Sequence, residues 1–363
     1  MDYQLVEIRD EERADRVRKN AGGKARADVT VILAELGAVP CEAVISENAR
    51  ASAKGLKKLL WHRDVITTLK NSFSPLRPGD TLFIQFPLRF HSVLIGPYLK
   101  DLVRSGISVI LIIHDLETIR WAKLPRKALS KLRYRLEEQL ALTACSRLIV
   151  HNETMKAFLA KSGIPEQKMV LLELFDYLAS VDISTAANRF QKSRGVIIAG
   201  NLSLKKSGYL EHLPDDVQWE LYGVGYEKDE KENVRYHGSF TPEELPQKLE
   251  GSFGLVWDGP SAETCTGVFG DYLRVNNPHK LSLYLASGLP VIIWKEAALA
   301  SFVEASGVGF PVSSLHEIRS MLDRMSEEEY SEMQRRSAEF SSRLREGFFL
   351  REAAAQARKG LKP

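Results

Sequence analysis

The chain of 363 residues has only three cysteines, Cys41, Cys145 and Cys265, far apart and without a CxxC pair or a His/Cys cluster. An odd, scattered set excludes a disulfide framework and reads as reduced, mostly buried thiols of a cytosolic protein, with no metal site expected. No apolar run approaches the roughly 20 residues that span a bilayer. The opening, Met1 to Asp10, is acidic and lacks the apolar core of a signal peptide, so neither a membrane span nor export is expected. Charge is nearly balanced at a net +3, which gives no reason to expect a nucleic-acid partner. What remains is a globular composition, 44% hydrophobic and 27% charged, on a length that suggests two domains with a core each.

Along the first half, strands are expected at Gln4–Ile8, Val29–Ala34, Thr81–Phe86, Ile107–Ile113, Arg147–Val150 and Met169–Leu172. Helices are expected over Ala49–Leu69, Val93–Val103, Arg126–Leu142 and Glu153–Lys161. Continuous apolar strands alternating with helices indicate a parallel sheet covered on both faces. The rhythm lapses between Asp176 and Arg194, then resumes with strands at Gly195–Ala199, Trp219–Tyr222, Val234–Tyr236, Gly254–Trp257, Val291–Trp294 and Gly309–Val312. The expected organisation is a Rossmann-like domain over residues 1–180, a second over 181–345, and a C-terminal helix over 346–363 that packs back on the first. Such α/β sheets bind ligands at the C-terminal ends of their strands.

The most informative stretch runs from Val275 to Trp294. It reads as a polar loop, Pro278 at a first helical position, two helical turns, Gly288 past the end, Pro290 as a stop and a buried strand. Unpaired N–H groups at the helix start, next to Lys280, make an anion site suited to phosphate. Asn276, Asn277 and His279 crowd the same end. Three further loops follow strands of the second half. Gly200 lets backbone approach a ligand, with Asn201 beside it and Lys205 or Lys206 able to neutralise phosphate; an ordinary turn with solvated lysines is the competing reading. Tyr222 and Gly223 begin part of a dinucleotide fingerprint that lacks its third glycine. Asp258, Gly259 and Gly267 lie in a long Gly- and Thr-rich loop of the kind that serves a ligand, with Phe269 and Tyr272 as anchors.

The run from Asn277 to Val291, preceded by Trp257-Asp258-Gly259 and Gly270-Asp271-Tyr272, resembles the C-terminal half of bacterial GT-B glycosyltransferases. It is most similar to the β-1,6-galactofuranosyltransferase group and its related adhesin glucosyltransferases. Residues 84–87, 114–117 and 151–155 extend the resemblance more loosely into the first half. The resemblance implies an α/β GT-B fold, two doubly wound Rossmann-like domains around a cleft, and hexose transfer from a UDP-sugar without a metal or other cofactor. Galactofuranose is the preferred hexose and glucose the next. The implied acceptor is a glycan, lipid-linked glycan or glycoprotein, and relatives imply self-association.

Carried onto this chain, the resemblance gives the diphosphate to Lys280 and the helix start at Pro278–Leu281, with Asn277 and Ser282 as further partners. Many retaining GT-B enzymes hold the ribose with a Glu where this chain has Leu283. Tyr284 or loop backbone would have to serve instead, and the departure favours an inverting enzyme. Inversion needs a base for the acceptor hydroxyl. His114, Asp115 and Glu117, directly after a strand, supply candidates; the alternative is a capping Asp115 and a buried, satisfied His114. Gln85, Arg89 and His91 are candidate sugar or acceptor contacts, and His151 and Asn152 are expected to do structural or positioning work. From Arg120 to Arg135 there are seven basic residues and no acid, with Leu129 and Leu132 among them. That segment reads either as a solvated helix face or as a peripheral contact with anionic lipid at the inner face of the cytoplasmic membrane. A nucleotide-sugar epimerase and an inactive nucleotide-sugar-binding subunit are the competing functions.

Overall fold

The computed structural model describes residues 1–9, 23–45, 56–120, 128–182, 184, 186–227 and 231–361. Parts of three expected segments, the charged stretch after Arg9, the start of the helix expected from Ala49, and Trp121–Lys127 of the basic run, lie outside them. The chain divides into two compact units: Met1–Arg16 with Val29–Leu172 and Leu350–Pro363, and Val17–Asp28 with Glu173–Phe349.

The first unit is built on a parallel sheet of six strands, in the order β2-β1-β3-β4-β5-β6. They are β1 (Asp2–Arg9), β2 (Val39–Ile45), β3 (Thr81–Phe86), β4 (Ser108–Ile113), β5 (Arg147–Val150) and β6 (Met169–Leu171). Among the helices of this half are α1 (Lys24–Glu35), α2 (Leu56–Ser72), α3 (Ile95–Arg104), α4 (Ala128–Ala144) and α5 (Glu153–Lys161). Strands β3 and β4 are buried from their second residue onward, which is why they read as unbroken apolar runs. Gly96 lets α3 close on α4, since a Cβ there would meet Cβ of Leu140 at 2.5 Å.

The strand expected at Val29–Ala34 is instead part of α1. Val29, Ile32 and Leu33 are buried while Val31 is exposed, a helical period that a β-branched run disguised. The strand at that place in the order is β2, which was not expected. It sits at the sheet edge, where Pro40 and the exposed Glu42 are tolerated.

The second sheet has the order β12-β11-β10-β7-β8-β9, all parallel. Its strands are β7 (Val196–Asn201), β8 (Trp219–Val224), β9 (Val234–Tyr236), β10 (Gly254–Val256), β11 (Val291–Trp294) and β12 (Gly309–Val312). Helices α6 (His279–Ala286), α7 (Ala300–Ser306) and α8 (Ile318–Arg324) follow in chain order, then α9 (Glu327–Arg345) and α10 (Phe348–Arg358). Ser326 caps α9 in a reciprocal box with Glu329. Gly347, at φ 72°, breaks the charged C-terminal segment into two helices. Within the first unit Arg358 of α10 pairs with Asp2 at 2.6 Å and lies over the Phe83 ring.

Candidate active site

In the second sheet the chain leaves β7 toward β8 and β9, then returns to the other side of β7 as β10. The C-terminal ends of β7 and β10 therefore flank the point where strand order reverses, where open α/β sheets form a crevice. Gly200 is the penultimate residue of β7 and Lys206 follows that strand, while Asp258 and Gly259 follow β10. Backbone bonds stitch these loops together, from Gly259 N–H to the Lys206 carbonyl at 3.2 Å and from Tyr209 N–H to the Gly259 carbonyl at 3.1 Å. A Cβ on Gly259, at φ 115°, would meet the Thr266 carbonyl at 2.6 Å, so its glycine serves the chain's own close approach. A Cβ on Gly200 or Gly267 would meet nothing closer than 3.7 Å.

Lys280 stands at the start of α6, largely buried. Its ammonium donates to the Trp257 carbonyl at 2.9 Å and to Asp258 Oδ1 at 3.0 Å. Asn276 Oδ1 is buried without a partner among the described residues. Lys206 lies 5.8 Å above the Phe269 ring, while Lys205 is exposed. The Asn201 side chain accepts from Ser203 N–H in a local turn. A cavity of ≈ 850 Å³ lies elsewhere in this unit, lined by Glu211, Asp215, Asp216 and Glu263 among others. Its carboxylates make it a poor phosphate site, so the lysine-bearing crevice is the better one.

Several expected ligand residues have structural duties instead. Pro278 is the cap of α6, not its first helical residue, because its ψ of 125° is extended. Tyr284 is fully buried; its hydroxyl accepts from Ala199 N–H at 2.8 Å, and burial pushes its pKa up. Its ring occupies the space a Cβ on Gly254 would need, 2.2 Å away, so Tyr284 is a core residue and not a ribose contact. Tyr222 is also buried, accepting from Glu250 N–H and stacked on His237 at 4.4 Å. Gly223 faces its ladder partner Gly200, where a Cβ would stand 1.8 Å from the carbonyl oxygen.

The polar end of α6 is likewise less exposed than expected. Asn277 donates to the Glu173 carbonyl at 2.8 Å. The His279 ring stacks on Tyr177 at 5.0 Å, and burial pushes its pKa down to about 4. Ser282 is buried at 2% exposure, and Leu283 is buried beside it.

In the first unit β1 lies between β2 and β3, so the order reverses at the ends of β1 and β3. The β3 loop passes through Arg89, whose N–H donates to Glu7 at 2.9 Å, to His91, a non-glycine residue at φ 38°. His91 Nδ1 meets Glu137 Oε1 at 3.3 Å; the other Glu137 oxygen is buried without a partner among the described residues. Gln85 donates to Thr30 Oγ1 at 3.0 Å. After β4, His114 N–H continues the ladder to the Phe86 carbonyl, and Asp115 pairs with Arg120 at 2.7 Å. Glu117 opens a helical turn, Glu117–Arg120. The Glu138 carboxylate of α4 accepts from Thr118 N–H at 3.3 Å and from the Thr118 hydroxyl, holding that turn in place. Burial pushes the Glu138 pKa up to about 7, against the pull of these hydrogen bonds. His151 is buried on the Ile113 carbonyl with its pKa pushed down to about 4, and Asn152 caps α5.

Glu137 and Glu138 were not singled out in the sequence. The available signal is an acidic pair directly after a basic run, on the helical face opposite leucines. Because the Glu138 pKa is raised in the fold above the ordinary value near 4.5, the folded state holds its proton longer than the unfolded chain does. Its stabilising share is full below about pH 4.5 and is lost as pH rises through about 7. Glu138→Gln is expected to gain thermal stability relative to wild type as pH rises through that window, then run parallel above it. Melting curves from pH 4.5 to 8 with a constant offset would contradict the buried titration.

A family model for the N-terminal domain of glucosyltransferase 3-like proteins matches residues 13–174, and one for their C-terminal domain matches residues 196–357. The β-1,6-galactofuranosyltransferase WbbI of Escherichia coli K12 is 33% identical over 354 residues, 95% of this chain and 96% of the relative. The chain belongs to the glucosyltransferase 3-like family. It is a glycosyltransferase of GT-B fold. Sucrose-phosphate synthase of Thermosynechococcus elongatus shares the fold at a TM-score of 0.61 and 13% identity, covering 98% of this chain and 97% of that one. HepE of Anabaena, solved with UDP, does so at 0.59 and 12%, covering 98% and 99%. Among the described residues of this family member no helix is long and apolar enough to cross a membrane.

Proposed function

We propose that this glycosyltransferase moves a hexose, galactofuranose before glucose, from a UDP-sugar to a glycan, lipid-linked glycan or glycoprotein acceptor, with inversion and without a metal. The observation that carries the donor half is the Lys280 ammonium at the strand-order reversal, with Asn276, four residues before it in the chain, burying an Oδ1 that has no partner among the described residues. WbbI is named for galactofuranosyl transfer and the family for glucosyl transfer, and HepE was solved with UDP. A β product from the α-linked sugar of common UDP donors requires inversion.

Lys280 takes the diphosphate together with the N–H groups at the start of α6, and Lys205 or Lys206 approaches from the Gly200 loop. Asn276 accepts from a hydroxyl of the donor, the duty that neither Leu283 nor Tyr284 fills. The acceptor oxygen attacks the anomeric carbon as the bond to UDP breaks and its electron pair leaves with the diphosphate. The acceptor proton passes to a carboxylate of the loop after β4, Asp115 or Glu117, with His114 beside them. Glu138 keeps that loop in register.

UDP release that requires acceptor is the expected assay result. An isomerised sugar would point to an epimerase, and binding without turnover to an inactive subunit. Asp115→Asn and Glu117→Gln are each made to find the base. One of them is expected to lower turnover by about 100-fold or more while UDP affinity is unchanged. Wild-type rates in both would remove this loop from the chemistry.

A further inference from the structure

Helix α4 is built inside out. Its carboxylates, Glu137 and Glu138, are buried, whereas Leu132, Leu136 and Leu140 are 52%, 49% and 44% exposed. A spacing of four puts the three leucines in one row along the helix. Lys131 and Arg135 are exposed in the adjoining row. From Ser130 to Ala144 no exposed residue of the helix is acidic. The neighbouring helix α3 meets α4 at Gly96, against Leu140 and Ala141, and leaves Leu132 and Leu136 open.

Single exposed leucines are commonplace; a row of three edged by cations marks a surface that meets a partner. Charge selects which partner. Among the described residues of this face Lys131 and Arg135 are exposed and no acid is, so the complementary surface is anionic. A second copy docking this face on itself about a two-fold axis would set Lys131 and Arg135 against their own kind. A lipid surface takes both features at once, leucines into the acyl boundary and cations among the phosphates. We infer that the outer face of α4 rests on an anionic lipid surface. This does not depend on which sugar is transferred.

The test is flotation of the full chain with vesicles of phosphatidylcholine alone or with about 30% phosphatidylglycerol, at physiological salt. The wild type is expected to float with the anionic vesicles and not with the neutral ones. Leu132→Ser with Leu136→Ser is expected to lower the bound fraction by about tenfold or more. Lys131→Ser with Arg135→Ser is expected to lower vesicle affinity roughly fivefold per cation. All four positions are exposed, and circular dichroism confirms that the variants fold. Failure to float, equal flotation on neutral vesicles, or flotation of both variants at the wild-type level would each overturn the inference. So would a dimer in sedimentation that the leucine variant dissociates, since the row would then be covered by a second copy.

Discussion

Lys280→Ala is expected to weaken UDP binding by about 10- to 150-fold, the equivalent of the roughly 1.5–3 kcal/mol that a charge-assisted hydrogen bond contributes. Lys280 also holds the fold together. Its ammonium is held by Asp258 and the Trp257 carbonyl, in a setting where the two side chains are 13% and 10% exposed. Removing the lysine therefore has a second effect: it leaves the Asp258 carboxylate nearly buried without its cation, and stability falls. The two effects separate in a double variant. Lys280→Ala with Asp258→Asn is expected to recover thermal stability and still bind UDP poorly. Calorimetric titration and melting curves on the two variants decide the matter. Unchanged UDP affinity in a folded Lys280→Ala would take the residue out of the donor site.

Gly223→Ala is expected to destabilise the second unit by on the order of 4 kcal/mol or more, the range reserved for substitutions the backbone cannot accommodate. The added Cβ would lie 1.8 Å from the Gly200 carbonyl oxygen, a backbone atom of the neighbouring strand, at a φ of 148° that side chains rarely adopt. Gly200→Ala is a useful contrast. Its Cβ would meet nothing within 4 Å, leaving only the strain of φ 133°, about 1–3 kcal/mol. Urea denaturation of both proteins gives the ranking. A Gly223→Ala protein that folds normally but binds UDP poorly would restore the glycine to a ligand-facing role.

The contrast between these two glycines also shows what sequence patterns can and cannot convey. Both are penultimate in their strands and both look like ligand glycines, because the purpose of a missing Cβ depends on a neighbour 23 residues away. The same holds for Tyr284, whose partner Ala199 is 85 residues distant, and for His279, packed on Tyr177. Their polar atoms read as available only because the acceptors that use them are not adjacent in the chain. Strands β3, β4, β5 and β11 were legible because burial on both faces writes itself as an apolar run. Edge strand β2 was hidden by Pro40, a residue that sheets tolerate only at their edges. Lys280 stands at the helix start where the sequence pattern puts it, and His114, Asp115 and Glu117 come after β4 as expected; their roles in the reaction are those proposed above. Glu138, which orders the second group, sits in no motif, because a buried carboxylate inside a helix is recognisable only once its Thr118 donors are in view.

With the donor placed as proposed, the backbone bonds that join the Gly259 and Lys206 loops have a consequence for how donor preference can change. An insertion or deletion in either loop would break the bonds on both, since each supplies a donor to or an acceptor for the other. Substitutions at Asn201, Lys205 or Lys206 leave the stitching intact, since it uses backbone atoms. Altered sugar preference in a descendant or an engineered variant is thus expected to arise through exchanged side chains on loops of constant length.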